Sequence, residues 1–356
     1  MEIDFVVTWL DSSDVKWQED YKKYKEEYSR MTDTSTARFR DWNLFQYWFR
    51  AVEKYAPWVN KVFLVTNGKF PDWINKNCPK LVLVKHSDYI PSDFLPTFNS
   101  HTIEFFMHRI KGLSEHFVYF NDDCYLNNFV TPDYYFKHGL PCDENEETVY
   151  NIPKYSPVNK FNLKIGKLMN VGVINAHFDR RDAIKHSMYR WFGFHHGIVD
   201  LIMGIIISAY PRGLFAGFRD RHFEQPYLKT IFDDVWNKEP ELLKEACSKF
   251  RGEATVTVYL FRYWQFASNK FYPVRLRNGR KYTLLPLYMP RILKAMNNPN
   301  IWSLCLNDTA SCSEADFQKC QQEVDTGFLR YFPDGANHSR LQVNVRLLSC
   351  ATVQRN

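Results

Sequence analysis

Apolar and polar positions along the chain fall into blocks, and the blocks predict an alternation of strands and helices. Residues 5–10 (Phe-Val-Val-Thr-Trp-Leu) are nearly all apolar and read as a buried strand ending at Asp11-Ser12-Ser13-Asp14. Residues 15–30 are charged and compatible with a helix. Over 42–55, Leu44, Tyr47, Trp48, Ala51 and Tyr55 recur at helical spacing until Pro57 stops the helix. A second strand is predicted at 62–65, ending in Thr66-Asn67-Gly68. A short helix is predicted at 71–75, and a third strand at 81–84 ends in Lys85-His86-Ser87-Asp88. Residues 102–110 read as a helix with Ser100 as its cap. The next run, Phe117-Val-Tyr-Phe-Asn-Asp-Asp123, reads as a buried strand whose end carries Asn121, Asp122 and Asp123.

This order argues an α/β fold with a mostly parallel sheet and helices on both faces. Strand ends on one edge of such a sheet share a rim, so Asp11, Asn67, His86 with Asp88, and Asp122 with Asp123 are expected to converge. Paired carboxylates there suit a divalent cation, and through it a diphosphate. An acidic turn fits those residues equally well.

Beyond residue 130 the pattern weakens. Residues 141–165 read as a loop or insertion, 171–176 as a strand and 179–210 as largely helical. Gly213, Gly217, Arg219, Asp220, Arg221 and His222 make a charged loop. Helices are expected at 227–236, 242–249, 256–267 and 315–330. Strands are expected at 282–288 and at 301–306, the latter ending in Asn307-Asp308. Residues 1–334 are thus read as one catalytic domain: an α/β half (1–140), a largely helical half (141–300) and a return segment (301–334). The basic, patternless tail 335–356 is expected to be disordered.

Composition narrows the class. With 356 residues the chain can bury a large core, and 17% aromatic content suits both that core and clefts that stack sugars or bases. A net charge of +6 without a basic stripe argues against nucleic acid, and is compatible with an anionic substrate or loose contact with an anionic membrane surface. The eight Cys include no CxxC pair, which argues against a zinc site of that type and for reduced thiols in a cytoplasmic protein. Cys305, Cys312 and Cys320 are close enough for a local bridge. The opening Met-Glu-Ile-Asp-Phe-Val-Val reads as a strand rather than a signal peptide. The apolar run 201–210 is too short to cross a bilayer, and reads as a buried helix, with an interfacial helix as the second reading. The expected location is the cytoplasm, with the inner face of the membrane as a peripheral site. Oligomeric state is not legible.

The motifs resemble one family in order. Asp4-Phe-Val-Val-Thr-Trp-Leu-Asp11 is similar to the opening block of the Stealth proteins. Arg38-Phe-Arg-Asp41 with Asn43, Pro57-Trp-Val, Val65-Thr-Asn-Gly68, His86-Ser-Asp88 and Leu95-Pro-Thr-Phe-Asn-Ser-His101 resemble their second block. Glu104, His108-Arg109-Ile, Gly112-Leu-Ser-Glu115 and Phe120-Asn-Asp-Asp123 complete it. His222-Phe-Glu-Gln-Pro and Phe250-Arg251 resemble the third block, and Leu304-Cys-Leu-Asn-Asp308 the fourth. The family comprises bacterial capsular polysaccharide phosphotransferases and the catalytic subunit of N-acetylglucosamine-1-phosphotransferase.

The resemblance implies a Rossmann-like, GT-A-like fold and transfer of hexose-1-phosphate, of the N-acetylhexosamine type, from a UDP-sugar to a hydroxyl of a glycan or lipid-linked glycan. UMP leaves and a phosphodiester forms. Asp122, Asp123, Asn307 and Asp308 are the implied ligands of Mg²⁺ or Mn²⁺, with Asp123 and Asn307 as the direct ones. His222 is the implied base and Arg251 the stabiliser of phosphoryl charge. Thr8, Asp11, Asn67, Asn99, His101 and Glu104 are implied substrate contacts. Arg38, Arg40 and Asp41 either touch the donor or anchor their loop by ion pairs. The pattern departs at Thr255, where an Asp is expected, with Glu253 as a substitute. Two rival readings stay open: a metal-dependent glycosyltransferase that releases UDP, and a catalytically silent glycan-binding protein.

Overall fold

The computed structural model describes residues 1–28, 40–150, 158–193, 197–209, 213–250, 255–275, 278–309 and 311–332. The first stretch runs β1 (Ile3–Thr8), α1 (Val15–Tyr28), α2 (Phe45–Tyr55), β2 (Val62–Thr66), β3 (Leu81–Lys85), α3 (Ser100–Phe105) and β4 (His116–Phe120). These strands and a later one, β8 (Gln225–Leu228), build a five-stranded sheet in the order β3-β2-β1-β4-β8. The pairs β3-β2, β2-β1 and β1-β4 are parallel, and β8 closes the edge antiparallel to β4. The order reverses between β1 and β4, the switch point where open α/β sheets bind ligands beyond their carboxyl ends.

The apolar runs form these strands because both faces of the sheet are covered, so nearly every position of β1, β2 and β4 gains by burial. On β4, Phe117 packs on Phe232 across one face at 5.6 Å, and Phe120 packs on Trp48 of α2 across the other at 5.3 Å. A single cluster of buried side chains runs from Ile3 to Phe332. A small satellite of Trp17, Phe98 and Phe250 holds α1 against the loops before α3 and before residue 251.

Past β4 the chain forms β5 (Cys124–Leu126), α4 (Pro132–Tyr135), β6 (Phe136–Lys137) and β7 (Leu140–Asp143). Helices α5 (Val158–His177), α6 (Arg180–His186), α7 (Met188–Phe192) and α8 (Ile198–Ser208) follow, with β8, α9 (Lys229–Lys238), α10 (Pro240–Ala246), α11 (Tyr259–Ala267) and β9 (Tyr272–Pro273) after them. The chain then adds β10 (Gly279–Thr283), α12 (Met289–Met296), β11 (Ser303–Asn307) and α13 (Glu314–Tyr331). Strands β10-β11-β5 make a second sheet, with β10 parallel and β5 antiparallel to β11.

Several local expectations are corrected. Residues 71–75 form turns, not a helix, because Pro71 and Pro79 bracket too short a run. The helix expected at 102–110 ends at Phe105 and gives way to a tighter turn at Met107–Arg109. Its cap is Asn99, whose side chain accepts from the His101 amide at 3.1 Å, not Ser100. The expected loop 141–165 contains β7 and the start of α5. The expected strand 171–176 lies inside α5. There Val171 and Ile174 sit one helical turn apart and are buried, so tertiary packing outweighs β-branched propensity. The helix expected from 227 begins at Lys229, because Tyr227 is drawn into the sheet opposite Phe117. The strand expected at 282–288 is displaced to β10, followed by a 3₁₀ turn at Pro286–Tyr288. The tail from 335 lies outside the described residues.

Candidate functional site

Asp123 sits where the chain leaves one sheet and enters the other. It follows the end of β4 and precedes β5, and its carbonyl accepts from the Leu306 amide at 2.9 Å. That bond docks the end of β11 onto the rim of the first sheet and brings Asn307 there. His222 arrives from the opposite direction. Because β8 runs antiparallel to β4, with Gln225 opposite Tyr119, the loop before β8 lies beside the residues after β4. The His222 Nε2 thus lies 3.5 Å from Asp123 Oδ2, with the imidazole about one-third exposed.

Two thiols complete the immediate surroundings. Cys124 Sγ lies 3.3 Å from Asp123 Oδ1. Cys305 Sγ lies 3.6 Å from Asp123 Oδ2 and 3.3 Å from Asn307 Oδ1. Burial works against ionisation of Asp123, but the hydrogen bond and charge of His222, the Cys124 thiol and the Lys281 ammonium hold its carboxyl below the usual carboxylate range. Lys281, exposed on β10, stands beside Cys305 in the parallel register.

Asp122 is exposed to solvent at the rim, yet its neighbours partly desolvate it. That desolvation, then the charges of Asp123 and Asp41, raise it to about 7. Asp41 is itself raised, by burial and by the charge of Asp11. A crowd of carboxylates whose mutual repulsion resists ionisation is a fit for a divalent cation, whose charge would relieve it. The oxygens offered by Asp122, Asp123 and Asn307 are the hard donors Mg²⁺ or Mn²⁺ takes. Asp308 is placed differently. Its carboxylate faces Arg40 at 3.7 Å and accepts from the Thr309 amide at 2.6 Å. Arg40 also lies over the Phe317 ring and donates to the Cys312 carbonyl, so this pair ties the entry of α2 to the end of β11.

The other expected residues divide into two groups. Thr8 lies at the switch point, with its hydroxyl 3.3 Å from Tyr119 OH. The same phenol reaches Glu104 at 3.1 Å and Asn121 at 2.9 Å, which links the ends of β1 and β4 to α3. Asp11 accepts from the Ser13 amide and hydroxyl, and Asn67 faces Asp14 at 3.4 Å. His101 stacks on Phe105. Asn99 is buried and committed to scaffolding: besides capping α3 it donates to Ser248. With the Phe98 amide on the Lys249 carbonyl, this fastens the segment before residue 251 to α3. Arg38, Arg251 and Glu253 lie outside the described residues. At Thr255 the carbonyl stands 2.7 Å from where a Cβ on Gly166 would be, so α5 passes directly over it. His86 is buried, which pushes its imidazole down to about 4, while Asp88 accepts from the Lys85 amide instead of pairing with it.

The His222 loop is held by ion pairs and hydrogen bonds that the sequence did not advertise. Arg219 reaches Glu146 at 2.8 Å, and Arg221 reaches Glu144 at 2.7 Å. Between them Asp220 is buried against Lys167 at 2.6 Å and Tyr263 at 2.8 Å. Arg262 forks onto Asp143 at 2.8 and 2.9 Å and donates to the Arg219 carbonyl at 2.9 Å. Behind His222, the buried Glu224 accepts from Tyr135 at 3.4 Å and from Ser303, which fastens β8 to β11. Phe223 packs so closely on Gly279 that a Cβ there would fall 2.7 Å from its ring. Lys281, Cys124 and Cys305 were missed from sequence because a lone Lys on a short strand and unpaired Cys carry no local signal. Cys305 and Lys281 are both positioned by β11.

Comparison with known proteins agrees with the motif resemblance. The model of Stealth protein CR2, conserved region 2, matches residues 38–142. The chain is 38% identical over 308 residues to a capsular polysaccharide phosphotransferase of Streptococcus pneumoniae, covering 86% of this chain and 90% of that protein. It is 35% identical over 335 residues to a receptor polysaccharide phosphotransferase of Streptococcus gordonii, covering 92% and 95% respectively. An exopolysaccharide phosphotransferase of Lactiplantibacillus plantarum is 35% identical over 334 residues, covering 93% and 94%. Among solved structures, mouse xyloside xylosyltransferase 1 covers 86% of this chain and 97% of its own at 8% identity and a TM-score of 0.32, too distant to carry an inference. The chain belongs to the Stealth family.

Proposed function

We propose that residues 1–334 act as one catalytic unit that moves hexose-1-phosphate from a UDP-sugar to a glycan hydroxyl, in the synthesis of a capsular or other surface polysaccharide. The observation that carries this reading is the approach of His222 to Asp123 at the carboxyl rim of the sheet, 3.5 Å apart, in a chain similar over most of its length to polysaccharide phosphotransferases.

In this reading the diphosphate lies across the switch point between β1 and β4. Asp122, Asp123 and Asn307 would hold a divalent cation, which supplies charge neutralisation at the phosphates. His222 Nε2 takes the proton of the acceptor hydroxyl, and the acceptor oxygen bonds to the β-phosphorus. The bond from that phosphorus to the bridging oxygen breaks, and UMP leaves. Asp123 stabilises the imidazolium that results. Lys281 stands on the same face and is assigned to donor phosphate, with Arg251 in the stabilising role at the transferring group. Arg40 and Asp308 anchor the loop rather than contact the donor. The N-acetylhexosamine donor remains part of the proposal and sets the first substrate to use.

Helix α8 gives the acceptor side a setting. Ile198, Val199, Ile202, Ile205 and Ile206 form one face and are each more than half exposed, while Gly204 and Ile207 face inward. Among the described residues no helix is long and apolar enough to cross a membrane. We read α8 as lying in the membrane interface, where a lipid-linked acceptor would be presented.

The deciding experiment incubates the protein with UDP-N-acetylglucosamine, Mg²⁺ and a glycan acceptor, then separates the nucleotides. UMP together with a phosphodiester signal by phosphorus NMR is expected. UDP as the nucleotide product would overturn the phosphotransfer reading in favour of glycosyl transfer.

A further inference from the structure

Asp123, His222 and the two thiols around them offer a different ligand set from the oxygens of Asp122 and Asn307. Cys124 and Cys305 face each other across β5 and β11. The ladder bond next to them runs from the Leu306 amide to the Asp123 carbonyl. The Cys pair is therefore of the non-hydrogen-bonded kind, in which side chains stand closest. The donor atoms of Asp123, Cys124, His222 and Cys305 all lie within 4.8 Å of one another. Two of the separations share Asp123 Oδ2, to His222 Nε2 at 3.5 Å and to Cys305 Sγ at 3.6 Å, while Cys124 Sγ lies 3.3 Å from Oδ1 of the same carboxylate. The two that share an oxygen match edges of a tetrahedron with bonds of about 2.0–2.3 Å, roughly 3.3–3.8 Å, the geometry of zinc with nitrogen, oxygen and sulfur ligands.

We propose that this chain carries a site for a thiophilic divalent ion, of the zinc class, formed by Asp123, Cys124, His222 and Cys305. The donors favour such an ion over Mg²⁺ because thiolate and imidazole are soft or borderline ligands and Mg²⁺ takes oxygen. Three of the four are held in place without an ion. Cys124 and Cys305 are fixed by the strand pair, and His222 by the ion-paired loop before β8. Binding exchanges two S–H bonds for two metal–sulfur bonds and releases two protons per ion, with no change of oxidation state. The site shares Asp123 with the proposed Mg²⁺ position, so the two ions exclude each other. One consequence rests on the proposed function: an ion on His222 Nε2 occupies the lone pair of the base, and zinc then inhibits transfer.

The test uses the full chain under a phosphine reductant and cadmium as the probe. Titration of wild-type protein is expected to give a thiolate-to-cadmium charge-transfer band that saturates at one ion per chain. Release of two protons, read in weakly buffered solution, is expected with it. Zinc, but not a large excess of Mg²⁺, should abolish the band. The Cys124→Ser/Cys305→Ser variant should lose it, while Cys142→Ser keeps it. Absence of the band in the wild type, or its survival in the double variant, overturns the site. Because the wild-type titration needs no variant, misfolding of the double variant does not rescue the proposal. The outcome is also independent of UMP formation. A missing band leaves the transferase reading standing, and a band in a protein that makes no UMP leaves the metal site standing.

Discussion

The imidazole of His222 and the carboxylate of Asp123, ninety-nine positions apart in the chain, stand 3.5 Å apart at the rim where β4 ends. In that position the carboxylate orients the ring for proton transfer. If His222 is the base, His222→Ala lowers kcat by roughly 10²–10⁴ with a wild-type melting temperature. Asp123→Ala, which removes both the imidazole partner and a cation ligand, is expected to leave no measurable transfer. Turnover near wild type in His222→Ala would take the base role away from it.

Lys281 offers a second check on the same site. Its substitution by Ala is expected to raise KM for the UDP-sugar by roughly tenfold, the scale of one hydrogen bond to a charged group. Lys281→Arg should recover most of the loss. An unchanged KM would show that the exposed ammonium never meets the phosphates.

Arg262 is the keystone of the loop that carries His222. It is buried, forks onto Asp143 and donates to the Arg219 carbonyl. Removing one partner of a buried pair strands the other, so Arg262→Ala is expected to cost about 3–5 kcal/mol of stability by urea unfolding. A cost under about 1 kcal/mol, typical of exposed pairs, would mean that solvent reaches Asp143.

Stability should depend on pH through Glu144. Burial raises its carboxyl, and the charge of Glu146 adds to this while Arg221 opposes it, to about 8. The folded state therefore holds a proton that the unfolded state loses near the ordinary carboxylate value of about 4.5. The contribution is fully present below that value and is lost as pH rises through about 8. Melting temperature is expected to fall across this window in the wild type and to fall less in Glu144→Gln. An identical slope in the two proteins would assign the pH dependence to other groups.

Helix α8 makes a prediction that does not involve chemistry at all. Ile202→Glu combined with Ile205→Glu should abolish co-flotation with anionic vesicles. Both side chains are exposed, so melting temperature should stay within the small range of surface substitutions. Equal flotation of wild type and variant would remove α8 as the membrane contact.

The four parallel strands of the first sheet were legible in the sequence because they are apolar runs closed by polar rims, and burial on both faces demands that pattern. The acids at the end of β4 were legible for the same reason: a strand end is a local event. Local pattern failed where a neighbour decided. Val171 and Ile174 look like strand and lie in a helix, because α5 packs them one turn apart. Tyr227 looks like helix and lies in a strand, because β4 offers it an edge. The motif order named His222, Asp123 and Asn307 as partners, but their meeting depends on two long-range facts. Strand β8 runs antiparallel and so returns its leading loop to the rim. The Leu306 amide bonds to the Asp123 carbonyl and so carries Asn307, Cys305 and Lys281 with it. Neither pairing leaves a trace at the residues themselves. The sequence by itself determined which groups stand at strand ends, and the tertiary structure decided which of those ends meet, because register and strand direction are set by the partner strand and not by the chain's own period.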